Sequence, residues 1–70
     1  MSDLRNKAAS LLSEADSLRA KASTLYAKYN STGDERIREE AYNTITEMQA
    51  KLDKAKELIK EAEFLEAYGE

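Results

Sequence analysis

Seventy residues hold one small domain, and a chain this short buries little apolar surface unless a disulfide, a metal or a partner helps. It has neither Cys nor His, which removes disulfides, thiolate chemistry and the usual zinc ligand sets. Eleven basic against 14 acidic residues, a net charge of −3, lack the basic footprint of a dedicated nucleic-acid binder, and no apolar run approaches the roughly 18–20 residues that cross a bilayer.

The first residues, Met1-Ser2-Asp3-Leu4, have no basic start and no apolar stretch of the secretory kind, so a cytoplasmic location is expected. Proline is absent, and Gly33 and Gly69 are the only glycines. Good helix formers fill the rest. The chain reads as all-α.

The spacing predicts a first helix over about residues 3–30, with Ser2 as its N-cap and Asp3 in its first turn. Leu4, Ala8, Leu11, Ala15, Leu18, Ala22 and Leu25 recur at alternating gaps of four and three, continued by Tyr29. This is a heptad seam with Leu at d and Ala at a, a pattern that lets two helices approach closely. A single helix cannot bury it.

Asn30-Ser31-Thr32-Gly33-Asp34 is the one cluster of turn formers, placing a turn at 31–34. Thr32 with Glu35 has the spacing of a capping box, and Asp34 competes as N-cap. The second helix is expected over about residues 35–68, stopped by Gly69. Its seam is Ala41, Ile45, Met48, Leu52, Ala55, Ile59 and Ala62, with large residues at a and mostly small ones at d, the inverse of the first helix. Ile37, Leu58 and Leu65 widen its apolar stripe. Asn43, Thr44, Thr46 and Gln49 read as surface choices, and Asp3–Lys7 and Glu47–Lys51 as ordinary i,i+4 pairs.

A turn this short makes the two helices antiparallel, so the expected fold is a helical hairpin forming one domain over residues 1–70. The inverted seams set Ala8 against Ala55 or Ala62 and leave Leu to meet Leu or Ile in the next layer. Reversing a second hairpin end for end gives two small and two large residues per layer, so homodimerisation into an antiparallel four-helix bundle is expected. The fourteen seam residues from Leu4 to Ala62 are then the oligomer core.

The Ala-at-a, Leu-at-d seam of the first helix and the hairpin plan resemble the Rop-type helical-hairpin dimer, a plasmid regulator that binds paired RNA loops. That resemblance implies an RNA- or DNA-binding regulator using paired first helices. Its contacts would come from Arg5, Lys7, Arg19, Lys21 and Lys28. The inverted seam of the second helix departs from the pattern.

Two surfaces suggest docking of another protein. Ser10, Ser13, Ser17, Ala20, Thr24 and Ala27 make a smooth uncharged strip on the outer face of the first helix, where the plainer reading is a solvated face. Phe64, Leu65 and Tyr68 offer aromatic and aliphatic anchors at the chain's end, of the kind that dominate interface energies. The plainer reading there is that Phe64 and Leu65 cover the end of a dimer core. Tyr26, Tyr29, Ile37 and Tyr42 are expected to close the core near the turn.

Charge is also uneven, +2 over residues 1–33 and −5 over residues 34–70. An acidic end can steer a basic partner, or the two helices can simply complement each other.

No carboxylate occupies the middle of either seam, and the His-based nucleophile, acid–base and di-metal arrangements have no residues to build them. No cofactor is expected. The leading expectation is a non-enzymatic adaptor, assembly factor or inhibitor acting through self-association and helix-face binding. A purely structural subunit, or a designed bundle, is the remaining alternative.

Overall fold

The computed structural model describes residues 3–69. The N-cap expected at Ser2 lies outside them. Two helices, α1 (Asp3–Thr32) and α2 (Glu35–Tyr68), pack against each other as an antiparallel hairpin. No strand occurs among the described residues.

The turn follows from three residues. α1 runs two residues past the expected end, because the Thr32 hydroxyl donates to the Lys28 carbonyl at 2.9 Å and so belongs to the last helical turn. Gly33 then adopts φ +70°, a left-handed conformation that costs a residue with a Cβ, and donates its N–H to the Tyr29 carbonyl at 2.7 Å. Asp34 is extended and accepts from the Arg36 N–H at 2.9 Å, so it is the N-cap of α2. The capping box expected from Thr32 and Glu35 does not form, since Thr32 is occupied closing α1 and receiving the Asp34 N–H at 3.2 Å. Only Gly33 and Asp34 separate the helices.

At the other end Gly69 donates to the Leu65 carbonyl at 2.7 Å and terminates α2 with φ −88°.

The core is made of alanine. Ala8, Ala15, Ala22, Ala41, Ala55 and Ala62 are at most 4% exposed, joined by Leu58 and Thr44. No larger side chain is fully buried. Ala8, Ala55 and Leu58 form a cluster against which Leu4, Leu11 and Ile59 pack. Of the two registers that the spacing allowed for Ala8, the cluster contains Ala55. Small side chains let the helices come close, which is what the Leu/Ala seam of α1 implied.

Thr44 corrects the surface assignment made from the sequence. It is 5% exposed and satisfies its hydroxyl within its own helix, donating to the Glu40 carbonyl at 2.8 Å.

The hairpin is a rod with principal extents of 55 × 15 × 11 Å and a radius of gyration of 16.1 Å. A compact 70-residue domain would have a radius of about 11 Å. Two helices alone leave every layer open on two sides.

Candidate interaction surfaces

Seven residues make two turns of helix, so each seam row runs along one line of its helix. On α1 the alanine line points at α2, the Leu4, Leu11, Leu18 and Leu25 row lies to one side of it, and Arg5, Leu12, Arg19 and Tyr26 lie to the other. On α2 the line of Ala41, Met48, Ala55 and Ala62 points back at α1. Ile37, Thr44, Lys51, Leu58 and Leu65 flank it on one side, and Ile45, Leu52 and Ile59 on the other.

Two grooves show how these rows match. Leu11, with Asn6, Lys7 and Ser10 beside it, shares a groove with Leu58 and Lys54. Ala15, Asp16 and Arg19 share a separate groove with Met48 and Leu52. The leucine row of α1 therefore faces the same way as the Leu58 row of α2, and the isoleucine row faces the opposite way. The leucine that meets Leu11 is Leu58, a residue outside the a/d seam. The expected alternation of α1 leucines with the Ile45, Leu52, Ile59 row does not arise, because the alanine line separates them.

Ion pairs between the helices occur on both sides. On the leucine side Lys51 Nζ lies 2.7 Å from Glu14 Oε1. Lys51 thus reaches across the hairpin instead of to Glu47 on its own helix, and the Glu14 hydrogen bond raises its pKa. On the isoleucine side Arg5 donates twice to Glu66, from Nε at 2.7 Å and from a terminal nitrogen at 3.0 Å. That fork lowers the Glu66 pKa and ties the last turns of α2 to the start of α1.

The large seam residues are all half-buried. Leu4, Leu11, Leu18 and Leu25 on one side, and Ile45, Met48, Leu52 and Ile59 around the other, keep part of their surface in contact with solvent. Leu12 is 39% exposed.

The end of α2 remains open. Phe64, Leu65 and Tyr68 are 60%, 44% and 77% exposed, and the Phe64 and Tyr68 rings sit 5.0 Å apart at 44°. In the single hairpin Phe64 leaves more than half of its surface uncovered and Leu65 somewhat less than half.

The small-residue strip is likewise uncovered. Ser10, Ser13, Ser17, Ala20, Thr24 and Ala27 are all exposed, and the Thr24 hydroxyl turns back onto the Ala20 carbonyl at 3.1 Å.

Near the turn Tyr26, Tyr29 and Ile37 are half-buried, and the Tyr29 hydroxyl donates to Glu35 at 3.3 Å. Tyr42 departs from the expected closure of the core. It is 65% exposed and borders a cleft with Tyr26, Arg36 and Arg38.

The basic residues of α1 do not converge. Lys7, Lys21 and Lys28 follow the outer edge of the leucine side. Arg5 and Arg19 belong to the isoleucine side, where both are paired, Arg19 with Asp16 at 3.0 Å. No group of carboxylates able to hold a metal ion, and no helix long and apolar enough to cross a membrane, occurs among the described residues.

Comparisons with protein-family models, with curated proteins and with solved structures found no match for this chain.

Proposed function

We propose that this chain is a non-enzymatic helical interaction protein that acts by self-association and by offering helix faces to another protein. One observation carries the reading. The hairpin buries alanines and, Leu58 apart, leaves the leucines and isoleucines of its seams and Met48 half in water, the reverse of a finished core.

The surface area supports it. The hairpin exposes 5299 Å², whereas a compact monomer of 7.9 kDa exposes about 4400 Å². The excess, about 900 Å², is close to the ~800 Å² that each partner contributes to a standard interface. A second hairpin covering one long side supplies that burial and makes a four-helix bundle. Phe64 and Tyr68, exposed on the last turns of α2, are the anchors through which a different protein docks.

Light scattering over a dilution series tests the self-association. A particle of twice the chain mass is expected, dissociating only at low concentration. A monomer with intact helicity at every concentration sinks the proposal. The paired variant Phe64→Ala, Tyr68→Ala is expected to keep the dimer mass, which separates docking of a different protein from self-association.

A further inference from the structure

We infer that two copies pair through their leucine sides with α1 of one lying antiparallel against α2 of the other, in an orientation selected by four charges on each helix. This rests on the self-association proposed above and specifies its face and its symmetry.

The charges flank the apolar rows. On α1 the row outside the leucines is Lys7, Glu14, Lys21, Lys28; on α2 the row outside Leu58 is Glu40, Glu47, Lys54, Glu61. Lys7 and Lys54 stand on the two rims of the groove that Leu11 and Leu58 line. Within the hairpin, Lys7, Lys21, Lys28, Glu40, Glu47 and Glu61 make no ion pair among the described residues.

Consider a two-fold axis parallel to the rod. It carries each residue to the same height on the other side, so α1 lies over the partner's α2 in the register that the hairpin itself uses. That register is bracketed by Tyr29 with Glu35, Glu14 with Lys51 and Arg5 with Glu66, whose residue numbers add to 64, 65 and 71. The facing charges are then Lys7 with Glu61, Glu14 with Lys54, Lys21 with Glu47 and Lys28 with Glu40. Every pair is opposite in sign, including the one place where the order of signs reverses. Each adds to 68, inside that span and at most about 6 Å from any of these contacts along the axis, which long side chains cover.

A two-fold axis across the rod gives a different result. It lays α1 on α1 and α2 on α2, so Glu14 meets Lys21 and Glu47 meets Lys54, but Lys7 meets Lys28 and Glu40 meets Glu61, and half of the contacts are like-charged. Like charges at an interface weigh against that partner geometry. Only the lengthwise axis satisfies all four pairs. It replaces the end-for-end reversal expected from the seams: that layer count needs alanines and leucines alike to face the partner, whereas Ala8, Ala15, Ala22, Ala41, Ala55 and Ala62 are buried between the two helices of one chain.

Two variants test the pairing. The first carries Lys7→Glu, Lys21→Glu and Lys28→Glu; the second carries Glu40→Lys, Glu47→Lys and Glu61→Lys. Both keep Glu14 and Lys51. Each alone is expected to lose self-association, and an equimolar mixture to recover the dimer mass and the helicity as a one-to-one complex. A control with Glu39→Lys, Asp53→Lys and Glu57→Lys has the same net charge as the second variant and is expected not to pair with the first. If each variant dimerises as the wild type does, the leucine sides are not the interface, although self-association stands. Equal pairing with the control would also overturn the inference, by showing attraction of net charge alone. A variant that unfolds by itself supports the pairing if mixing restores its helix and opposes it if mixing does not. A wild type that is monomeric at every concentration removes the parent reading along with this one.

Discussion

Lys51 Nζ sits 2.7 Å from Glu14 Oε1, planting one ion pair midway along a side otherwise lined by leucines. A charge pair covered by an apolar partner gains little over hydrophobic side chains of similar size, because both ions lose water. The double variant Glu14→Leu, Lys51→Met is therefore expected to melt at a higher temperature than the wild type. Lys51→Met alone takes from the Glu14 carboxylate the cation that lies 2.7 Å away and is expected to melt below the double variant. Thermal denaturation followed by circular dichroism measures both.

The alanine line leaves no room for larger side chains. Ala55 is fully covered and clusters with Ala8 and Leu58. Ala55→Leu must push the helices apart or force strained rotamers, a destabilisation of about 1–3 kcal/mol. Ala9→Leu, one residue from the line and exposed, is expected to change stability by less than about 0.5 kcal/mol. Urea titrations of the two variants at one protein concentration give the comparison.

Gly33 and Asp34 divide the work of the turn. A Cβ at Gly33 would meet nothing within 4 Å, so Gly33→Ala carries only the conformational cost of φ +70°, about 1 kcal/mol. Asn tolerates this region better, and Gly33→Asn is expected to lose less. Asp34→Ala removes the acceptor for the Arg36 N–H and is expected to cost about 1 kcal/mol as well. Equal stability of Asp34→Ala and wild type in chemical denaturation would show that the cap is dispensable.

Glu66 gives the hairpin an acid-sensitive contact. Its pKa is lowered below the ordinary 4.5, first by the hydrogen bonds from Arg5, so the folded state favours the carboxylate more than the unfolded state does. The stabilisation is complete above the unfolded pKa and is lost as pH falls through the folded one. Glu66→Gln is expected to flatten the decline in melting temperature below about pH 4.5, while the variant and wild type differ by a constant offset near neutrality.

The sequence was informative wherever one helix decides the outcome. Unbroken helix formers, one turn cluster around Gly33 and a glycine at position 69 located both helices and the antiparallel plan. The alanine line was legible too, since seven-residue spacing places Ala8, Ala15 and Ala22 on a single stripe. What was not legible was the rotation of α2 about its own axis. The a/d frame centred that helix between its alanines and its isoleucines, whereas the packing centres it between the alanines and the row of Ile37, Leu58 and Leu65. Once those three were noticed, spacing by seven also reached Thr44 and Lys51, but a polar and a charged residue do not announce a packed row. Burial of Thr44 needs its hydroxyl to bond backward within the helix, and the half-buried position of Lys51 needs Glu14 from the other helix. Each is a property of the assembled pair. The exposed Phe64, Leu65 and Tyr68 were named from residue type and their place near the chain's end; Phe64 lies on the face of α2 opposite its alanine line, and Tyr68 continues the outer row of Glu40, Glu47, Lys54 and Glu61.

Because only two residues join the helices, the chain distance between facing residues grows steadily from the turn to the open end. Tyr29 and Glu35 are six residues apart in sequence, and Arg5 and Glu66 sixty-one. The entropy lost in closing a loop rises with its length, so contacts beside Gly33 form at the least cost and each one shortens the loop left for the next. The molecule closes like a zip from the turn, and it opens from the end that the Arg5–Glu66 fork secures. Amide hydrogen exchange is accordingly expected to be slowest around Ala22, Ala41 and Thr44 and fastest in the turns that carry Phe64 and Tyr68, which would leave the exposed aromatic end as the most adaptable part of the rod.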